Sequence, residues 1–324
     1  MQSCLVTGGA GYIGSHTVAE LSRRGYRTIV VDDLSEGHRE AVPDIPLEVV
    51  DLSDEKGLDR VFRTHSVEGV IHFASLCYVG VSVTDPRLYF EQNLGNALTL
   101  LRVMLRHGVK KFIFSSSCAT YGNPISVPID ESHPQDPVNP YGETKYFVER
   151  ILRDYDRAYG LRSVALRYFN AAGASLDKRL GESHDPETHL IPRVLQAARN
   201  GGAVDVYGED YPTPDGSCIR DYIHVEDLAT AHVAALEWLS AAGRSDAFNL
   251  GTGHGYSVKE VIEAARKITG RSIDMNLAPR RAGDPPALVA DAQKAYRTLN
   301  WKPEHSQLET IIDTAWQWEL KRRY

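Results

Sequence analysis

This 324-residue sequence lacks the features that mark membrane, secreted or nucleic-acid-binding proteins. No apolar run approaches the 18 or so residues of a membrane span, and no basic segment opens a signal peptide. Lys and Arg number 36 against 43 Asp and Glu, which gives a net charge of −7 without a block of like charges. A mildly acidic chain of this kind is a poor ligand for nucleic acid or anionic lipid. We therefore expect neither nucleic acid nor a membrane as a partner.

Cysteine is scarce and scattered. Cys4, Cys77, Cys118 and Cys218 form no C-x-x-C pair, and the twelve histidines form no H-E-x-x-H motif. Dispersed cysteines are typical of buried thiols in a reducing compartment. These absences predict a cytoplasmic protein without a bound metal.

What is present is a globular composition, 42% apolar and 24% charged, with enough chain for about two domains. The first 170 residues alternate short β-branched segments with segments of helical periodicity. This alternation predicts an α/β fold with a doubly wound parallel sheet, the Rossmann architecture. The predicted strands are 4–7, 28–31, 47–50, 70–73, 111–115 and 163–167. The predicted helices are 12–24, 53–64, 86–107 and 140–155.

The pattern changes after about residue 175, where proline and glycine recur and apolar segments become short. This change predicts a second, smaller α/β C-terminal domain. We assign residues 1–175 to a dinucleotide-binding domain and 176–324 to a substrate-binding domain. The helical segment 225–239 is expected to pack back onto the first domain, together with its neighbours over about 220–240.

A glycine-rich turn follows the first predicted strand. Gly8, Gly11 and Gly14 give the spacing G-x-x-G-x-x-G, which suits a tight turn and a helix N-terminus directed at a pyrophosphate. Asp32 ends the next strand eighteen residues after Gly14, near the spacing expected for an acid that binds the adenosine ribose. A carboxylate there repels a 2′-phosphate, so the pattern favours NAD over NADP. Asp51 and Leu52, after the third strand, are expected beside the adenine.

A tyrosine and a lysine open the helix predicted from residue 140. The spacing of four places Tyr141 and Lys145 on one helical face, where an ammonium group lowers the pKa of a nearby phenol. Such a pair suits proton transfer in alcohol–ketone interconversion beside a nicotinamide. Ser117, at the carboxyl end of the fifth predicted strand, is expected to share the proton of the substrate oxygen.

At this point the chain closely resembles the extended short-chain dehydrogenase/reductase family, and within it the UDP-hexose 4-epimerases. The markers are TGGAGYIGSHT at 7–17, IHFA at 71–74, SSSCATYG at 115–122, PYGETK at 140–145, LRYFNAAGA at 166–174, RDYIHVEDLA at 220–229 and PRRAGD at 279–284. The resemblance implies redox-neutral inversion at C4 of a UDP-hexose through a 4-keto sugar, with NAD as the bound cofactor. It also implies a homodimer built on helices around 86–107 and 141–158.

The resemblance also implies a role for individual positions. Contacts to NAD are implied for Gly11, Tyr12, Ile13, Asp32, Asp51, Leu52, Phe73, Ala74, Asn93, Tyr141, Lys145 and Tyr168. Contacts to the UDP-sugar are implied for Ser117, Tyr141, Asn170, His189, Leu190, Tyr207, Arg220, Arg281, Asp284 and Leu288. Independently of the resemblance, Arg220 and Arg281 are residues of the kind that bind a diphosphate through two parallel hydrogen bonds.

Three positions depart from the family pattern or vary within it: Cys77, Leu288 and His189, which stands where some members have asparagine and still offers a polar side chain. Cys77 stands where many of these epimerases have a lysine that contacts NAD, which puts one cofactor contact in doubt. Leu288 stands where the family sets the depth of the sugar pocket, and leucine is smaller than the tyrosine of strictly glucose-specific members. We expect UDP-glucose and UDP-galactose as the main substrates, with weaker activity on UDP-N-acetylhexosamine.

Three other functions compete with epimerisation. Sugar-nucleotide dehydratases carry an Asp-Glu pair directly after the catalytic Ser or Thr, where this chain has Cys118 and Ala119, so dehydration is disfavoured. UDP-glucuronate decarboxylases differ in the substrate loop, which is less decisive. A non-catalytic NAD sensor is disfavoured because both Tyr141 and Lys145 are retained.

Overall fold

A computed structural model describes residues 3–281 and 284–324 of the chain, in which short strands alternate with helices. The strands are β1 (Ser3–Thr7), β2 (Arg27–Asp32), β3 (Leu47–Val49), β4 (Gly69–His72), β5 (Lys111–Ser117), β6 (Arg162–Tyr168), β7 (Asn170–Ala172), β8 (Ala203–Tyr207), β9 (Ile219–Arg220), β10 (Tyr222–His224), β11 (Asp246–Leu250), β12 (Tyr256–Ser257), β13 (Asp274–Ala278) and β14 (Ala287–Leu288). The helices are α1 (Tyr12–Arg23), α2 (Glu55–Thr64), α3 (Val79–Thr84), α4 (Pro86–Tyr89), α5 (Asn96–Arg106), α6 (Pro140–Tyr159), α7 (Leu190–Asn200), α8 (Val225–Ala242), α9 (Val258–Thr269), α10 (Gln293–Thr298) and α11 (Leu308–Leu320).

The main sheet has seven parallel strands in the order β3-β2-β1-β4-β5-β6-β11. The doubly wound α/β prediction is therefore confirmed. The chain moves outward from β1 to β3 and then returns to the other side of β1 as β4. Loops leaving β1 and β4 consequently diverge and open a crevice at the carboxyl edge of the sheet, where ligands bind in such folds.

Helices cover both faces of this sheet. On one face α1 and α8 pack together through apolar side chains that include Val18, Leu21 and Leu228. On the other face α2, α5 and α6 contribute Leu58 and Leu100 to a second cluster, among other residues. Burial on both faces explains why these strands read as continuous apolar segments rather than as alternating ones.

All six predicted strands are present, and their ends lie within two residues of the predicted ones. The helix predicted over 86–107 is divided, because a π-helical turn at Phe90–Gly95 separates α4 from α5. The strand β11 was not predicted, and it extends the sheet beyond β6. With α8, it brings chain from beyond residue 175 onto the first sheet, while the division at 175 itself stays a prediction.

The later part of the chain has its own core. Helices α7, α9 and α11 pack around side chains such as Leu195, Ile262 and Ile312. Short strands accompany them, with β8 parallel to β13 and β9 between β12 and β14. No helix of the described residues is long and apolar enough to cross a membrane.

Candidate active site

A pocket of about 520 Å³ lies at the carboxyl edge of the main sheet, between the loops after its strands and the later part of the chain. Its lining includes the predicted residues Gly8, Gly11, Tyr12, Ile13, Gly14, Asp32, Leu52, Phe73, Ala74, Ser117, Tyr141, Lys145, Tyr168, Asn170, His189, Arg220, Asp284 and Leu288. Five predicted residues that the structure also describes are not in this lining: Asp51, Asn93, Leu190, Tyr207 and Arg281. Ala282 and Gly283, within the PRRAGD motif, lie outside the described residues.

The glycine turn brings its backbone against the neighbouring loop. Gly8 has a φ of +68°, and a Cβ there would lie 2.5 Å from the backbone nitrogen of Ala74. A Cβ on Gly14 would overlap the carbonyl oxygen of Gly8. Both positions therefore require glycine, one for its backbone conformation and close approach, the other for space.

The same turn presents a site for an anion. Gly11 precedes α1, whose first turn carries no acidic side chain, so the N–H groups at this end can meet a phosphate. Asp32 is buried beside the turn and accepts hydrogen bonds from the backbone nitrogens of Ala10 and Leu34, both at 2.9 Å. Burial raises the pKa of Asp32. A phosphate site beside a buried carboxyl at the pocket wall fits a dinucleotide such as NAD.

Two residues predicted on the cofactor side have other partners. The amide oxygen of Asn93 accepts from the backbone nitrogen of Leu76 at 2.8 Å, and its amide nitrogen donates to Leu76 and Thr144. Asn93 thus holds the loop after β4. Asp51 is exposed and accepts from the backbone nitrogen of Ser53 at 2.7 Å.

Tyr141 and Lys145 lie in the first turns of α6, which Asn139 caps by accepting from the backbone nitrogen of Gly142 at 2.9 Å. Both side chains are buried. The Lys145 Nζ donates to the Ser115 carbonyl at 2.9 Å and lies 5.7 Å from the centre of the Tyr141 ring. The spacing of four has therefore placed the phenol and the amine side by side in the pocket.

The electrostatics of this pair differ from the sequence expectation. Burial raises the pKa of the Tyr141 phenol above its ordinary value, although the Ser117 hydroxyl acts in the opposite direction. Burial also lowers the pKa of Lys145 to about 8. The cost of burying a phenolate exceeds the effect of a lysine that is engaged with a carbonyl. A positive charge bound beside the ring would favour the ionised phenol.

The three serines that end β5 have different partners. Ser115 shares a hydrogen bond of 2.6 Å with the Tyr168 hydroxyl, and Ser116 donates to Glu149 at 2.6 Å. The Ser117 oxygen accepts from the backbone nitrogen of Ala119 at 3.1 Å, which leaves its proton available to the pocket. Of the three, Ser117 is the one placed to act on a ligand beside Tyr141.

The opposite wall carries long polar side chains. Arg220 donates to the carbonyls of Ile219 and Pro285 at 2.9 and 3.0 Å, and its other terminal nitrogen lies 3.6 Å from Asp284. Outside the lining, the Arg281 guanidinium stacks 3.8 Å from the centre of the Tyr207 ring. Leu288 lies at the edge of an apolar cluster that contains Cys118 and Phe169, among others.

The sequence analysis missed a number of lining residues, and four of them carry titratable groups of interest: Glu36, Tyr78, Glu182 and His184. The Tyr78 hydroxyl donates to Glu36 at 3.0 Å. Burial alone would lower the pKa of His184, but its hydrogen bond to Glu182 and the nearby carboxylate of Glu187 raise it to about 10. The alternation of acid and imidazole in E-x-H-x-x-E-x-H over 182–189 is the signal that could have drawn attention to this segment.

Comparisons with known proteins agree with this geometry. A model of the NAD dependent epimerase/dehydratase family matches residues 4–251. The chain is 53% identical to a UDP-glucose 4-epimerase of Halalkalibacterium halodurans over 97% of this chain and 94% of that relative. It is similar to the crystal structure of UDP-glucose 4-epimerase from Brucella ovis in complex with NAD, with a TM-score of 0.95, 50% identity and 98% of each chain covered. For the Bifidobacterium longum UDP-glucose 4-epimerase in complex with NAD+ and UDP, the TM-score is 0.94, with 42% identity and 99% of each chain covered.

Proposed function

Since this chain belongs to the NAD dependent epimerase/dehydratase family, we propose that it interconverts UDP-glucose and UDP-galactose by inverting C4, with NAD as its bound cofactor. The protein is thus an NAD-dependent isomerase. The observation that carries the proposal is the position of Tyr141, Lys145 and Ser117 between the glycine turn and the Arg220 wall of one pocket. Nearly full-length similarity to UDP-glucose 4-epimerases supports the choice of reaction.

The catalytic roles follow from the contacts of these side chains. NAD, held by the glycine turn and Asp32, would supply a hydride acceptor for C4 of the sugar and then a hydride donor for the opposite face. Tyr141 takes the proton of the 4-hydroxyl and later restores it, while Ser117 hydrogen-bonds the same oxygen. Lys145, fixed by the Ser115 carbonyl, positions the phenol and reaches the cofactor ribose. The proton and the hydride both return, so no net oxidation occurs.

The sugar has to turn between the two transfers, so the uridine diphosphate has to stay bound. Arg220 and Asp284 suit this task, because a guanidinium binds a diphosphate through parallel hydrogen bonds and the carboxylate helps to hold it. Asn170 and His189 line the same pocket and supply further polar contacts. Leu190, Tyr207 and Arg281 are not in the lining, and we propose that they too contact the UDP moiety, as the family resemblance implies.

Dehydration is the main competing reaction, and the structure supplies a reason against it. Cys118 and Ala119 follow Ser117 in a short turn where an acid and a base would be needed. Burial raises the pKa of the Cys118 thiol to about 12, so this side chain is a poor base at neutral pH. An assay on UDP-glucuronate distinguishes epimerisation from decarboxylation. We expect the protein to leave UDP-glucuronate unchanged.

Leu288 defines the finer substrate choice in this proposal. Leucine leaves more space than tyrosine but offers no hydrogen bond to an acetamido group. We expect weaker activity on UDP-N-acetylglucosamine than on UDP-glucose. Leu288→Tyr should abolish the weaker activity and spare the main one; loss of both, or of neither, would contradict this role.

We further propose a homodimer in a reducing, cytoplasmic compartment. Phe147 of α6, a helix within the range implied for the dimer, is an exposed apolar side chain, which supports association through this helix. The four cysteines are free thiols, which suits a reducing compartment. Light scattering at micromolar concentration tests the dimer, and a monomer would contradict it.

The proposed reaction is tested with purified protein, UDP-galactose and no added nucleotide. We expect UDP-glucose as the product by NMR, and NAD in the supernatant after acid denaturation. A protein that binds NAD but leaves every UDP-hexose unchanged would instead be a sensor. A protein that requires stoichiometric external NAD would contradict the bound-cofactor cycle.

A further inference from the structure

Four side chains of one short segment converge at the edge of the pocket. Glu182, His184, Glu187 and His189 each direct one oxygen or nitrogen to a common point, and these four atoms lie within 4.8 Å of one another. The Nδ1 atoms of His184 and His189 lie 3.1 and 2.6 Å from the same Glu182 oxygen. They lie 3.8 and 3.4 Å from the carboxylate oxygens of Glu187. Ligands held about 2.1 Å from one tetrahedral cation are separated by about 3.4 Å, within the range of these distances.

Hydrogen bonding satisfies part of this cluster, since His184 Nδ1 bonds to Glu182, but it leaves one atom of His189 and one of Glu187 without a partner among the described residues. The Nδ1 of His189 is buried and, despite its closeness to Glu182, has no hydrogen bond of acceptable direction among the described residues. The Oε2 of Glu187 likewise has no donor in the described part of the chain, although this side chain is only 5% exposed. Buried polar atoms without partners are costly, so a ligand that bonds to both is favoured.

The backbone that carries these side chains is firmly held. The Trp318 indole nitrogen donates to the Glu182 carbonyl at 2.8 Å, and Gly181 lies directly against the same indole ring. The Oε1 of Glu187 accepts from the backbone nitrogens of Thr188 and His189, both at 2.8 Å. Such outer contacts orient ligand atoms before a metal binds.

We propose that Glu182, His184, Glu187 and His189 bind one divalent transition-metal cation, Zn²⁺ in preference to Mg²⁺. Two imidazole nitrogens and two carboxylates form a ligand set that suits Zn²⁺, whereas Mg²⁺ requires six oxygen ligands and gives up water reluctantly. Two carboxylates also balance the charge of the cation. This site goes beyond the proposed epimerisation and beyond the sequence expectation of no metal, which rested on the absence of C-x-x-C and H-E-x-x-H spacings.

The site lies where the later part of the chain meets the glycine turn. The rings of Tyr12 and Tyr78 pack edge-on against His184, with centroids 6.5 and 6.0 Å away. His189 is the most exposed of the four ligands and lines the pocket. The cation would therefore fix the side chain of His189, which faces the pocket. It would also hold the 182–189 segment against Tyr12 and Tyr78 on the cofactor side.

The test uses tag-free, full-length protein stripped with a chelator. Equilibrium dialysis against ZnCl₂ or MgCl₂, with metal measured by mass spectrometry, should give one zinc per chain and no stoichiometric magnesium. Co²⁺ should bind with the visible absorption of a four-coordinate site. Absence of stoichiometric zinc, or zinc binding without that cobalt spectrum, would overturn the proposal. These readouts do not depend on turnover, so failure of the epimerase assay would leave them interpretable.

Glu187→Gln is the matched variant, because it retains the size of the side chain and removes the charge. We expect zinc affinity to fall by about tenfold or more. His107→Asn is the control, since His107 contacts Asp59 at 2.8 Å but belongs to no group of metal-ligating side chains found among the described residues. Unchanged affinity in Glu187→Gln, or an equal loss in the control, would contradict the assignment of the ligands.

Discussion

The two walls of the pocket are built by different means. The cofactor wall consists mainly of backbone: Gly8 touches Ala74, and the N–H groups of α1 are open to a phosphate. The facing wall consists of polar side chains, Arg220 and Asp284 among them, on strands of two residues and on loops. A backbone wall holds one ligand in one pose, whereas flexible side chains can hold a diphosphate while the rest of the ligand turns. The difference suits a cycle in which NAD stays fixed and the sugar presents both faces.

The largest effect should follow from Tyr141→Phe, which changes neither wall but removes the proton carrier between them. We expect turnover to fall by about 10²- to 10⁴-fold with NAD content unchanged, because general acid/base catalysis contributes this much. Steady-state kinetics on UDP-galactose measures the loss. Tyr146→Phe removes a hydroxyl from the same helix outside the pocket lining and should leave turnover intact. Near-normal turnover in Tyr141→Phe would remove this residue from the mechanism.

Gly8→Ala tests the backbone wall. Its Cβ would clash with Ala74 and would also strain a left-handed backbone, so we expect loss of copurifying NAD and a lower free energy of unfolding. Gly25→Ala introduces the backbone strain without the clash, since Gly25 has a φ of +79° and no atom lies within 4 Å of an added Cβ. It should cost about 1–2 kcal/mol and retain NAD. Equal NAD loss in both variants would show that close approach at Gly8 is unimportant.

Arg220→Ala tests the side-chain wall. We expect the KM for UDP-galactose to rise by about 10- to 100-fold, the effect of losing hydrogen bonds to a charged group, while NAD content stays constant. Arg280→Ala is the control, because Arg280 pairs with Asp210 at 2.7 Å and is not in the lining. If Arg220→Ala lost NAD to the same extent as UDP-sugar affinity, the assignment of separate ligands to the two walls would be wrong.

The smallest effect concerns Lys145, which lies between the two walls. Folding holds its pKa at about 8, below the ordinary 10.5, so the unfolded chain binds more protons between these pH values. The buried ammonium therefore destabilises the cofactor-free protein at neutral pH, and this penalty disappears as the pH rises from 8 to 10.5. Lys145→Met should raise the Tm of cofactor-stripped protein at pH 7 by about 2–4 °C for each kcal/mol recovered. A gain that persists at pH 10.5 would contradict this cause.

The sequence was most informative where structure follows from local pattern. Continuous apolar segments predicted six strands, and the glycine spacing predicted the cofactor turn. The strand β11 was not predicted, because Asp246–Leu250 mixes polar and apolar residues. Its pairing with β6 makes it a strand. Contacts in three dimensions, rather than local preference, decide such an element.

The side-chain wall was less predictable. Asp284 and His189 follow no periodic pattern, so only resemblance to a family pointed to them, whereas Arg220 was also indicated by the chemistry of its guanidinium group. The raised pKa of Tyr141 comes from burial, which a spacing of four does not reveal. The role of Asn93 in holding the loop after β4 likewise depends on a turn that forms only in the fold.

The fate of the hydrogen on C4 tests the central claim most directly. Purified protein should convert UDP-galactose to UDP-glucose in D₂O without added NAD, and the product should retain protium at C4. This result is expected because the hydrogen moves as a hydride within a closed pocket and never exchanges with water, while Tyr141 handles only the proton on oxygen. Proton NMR of the product measures the C4 signal. Deuterium at C4 would instead show proton abstraction from carbon and would contradict the account.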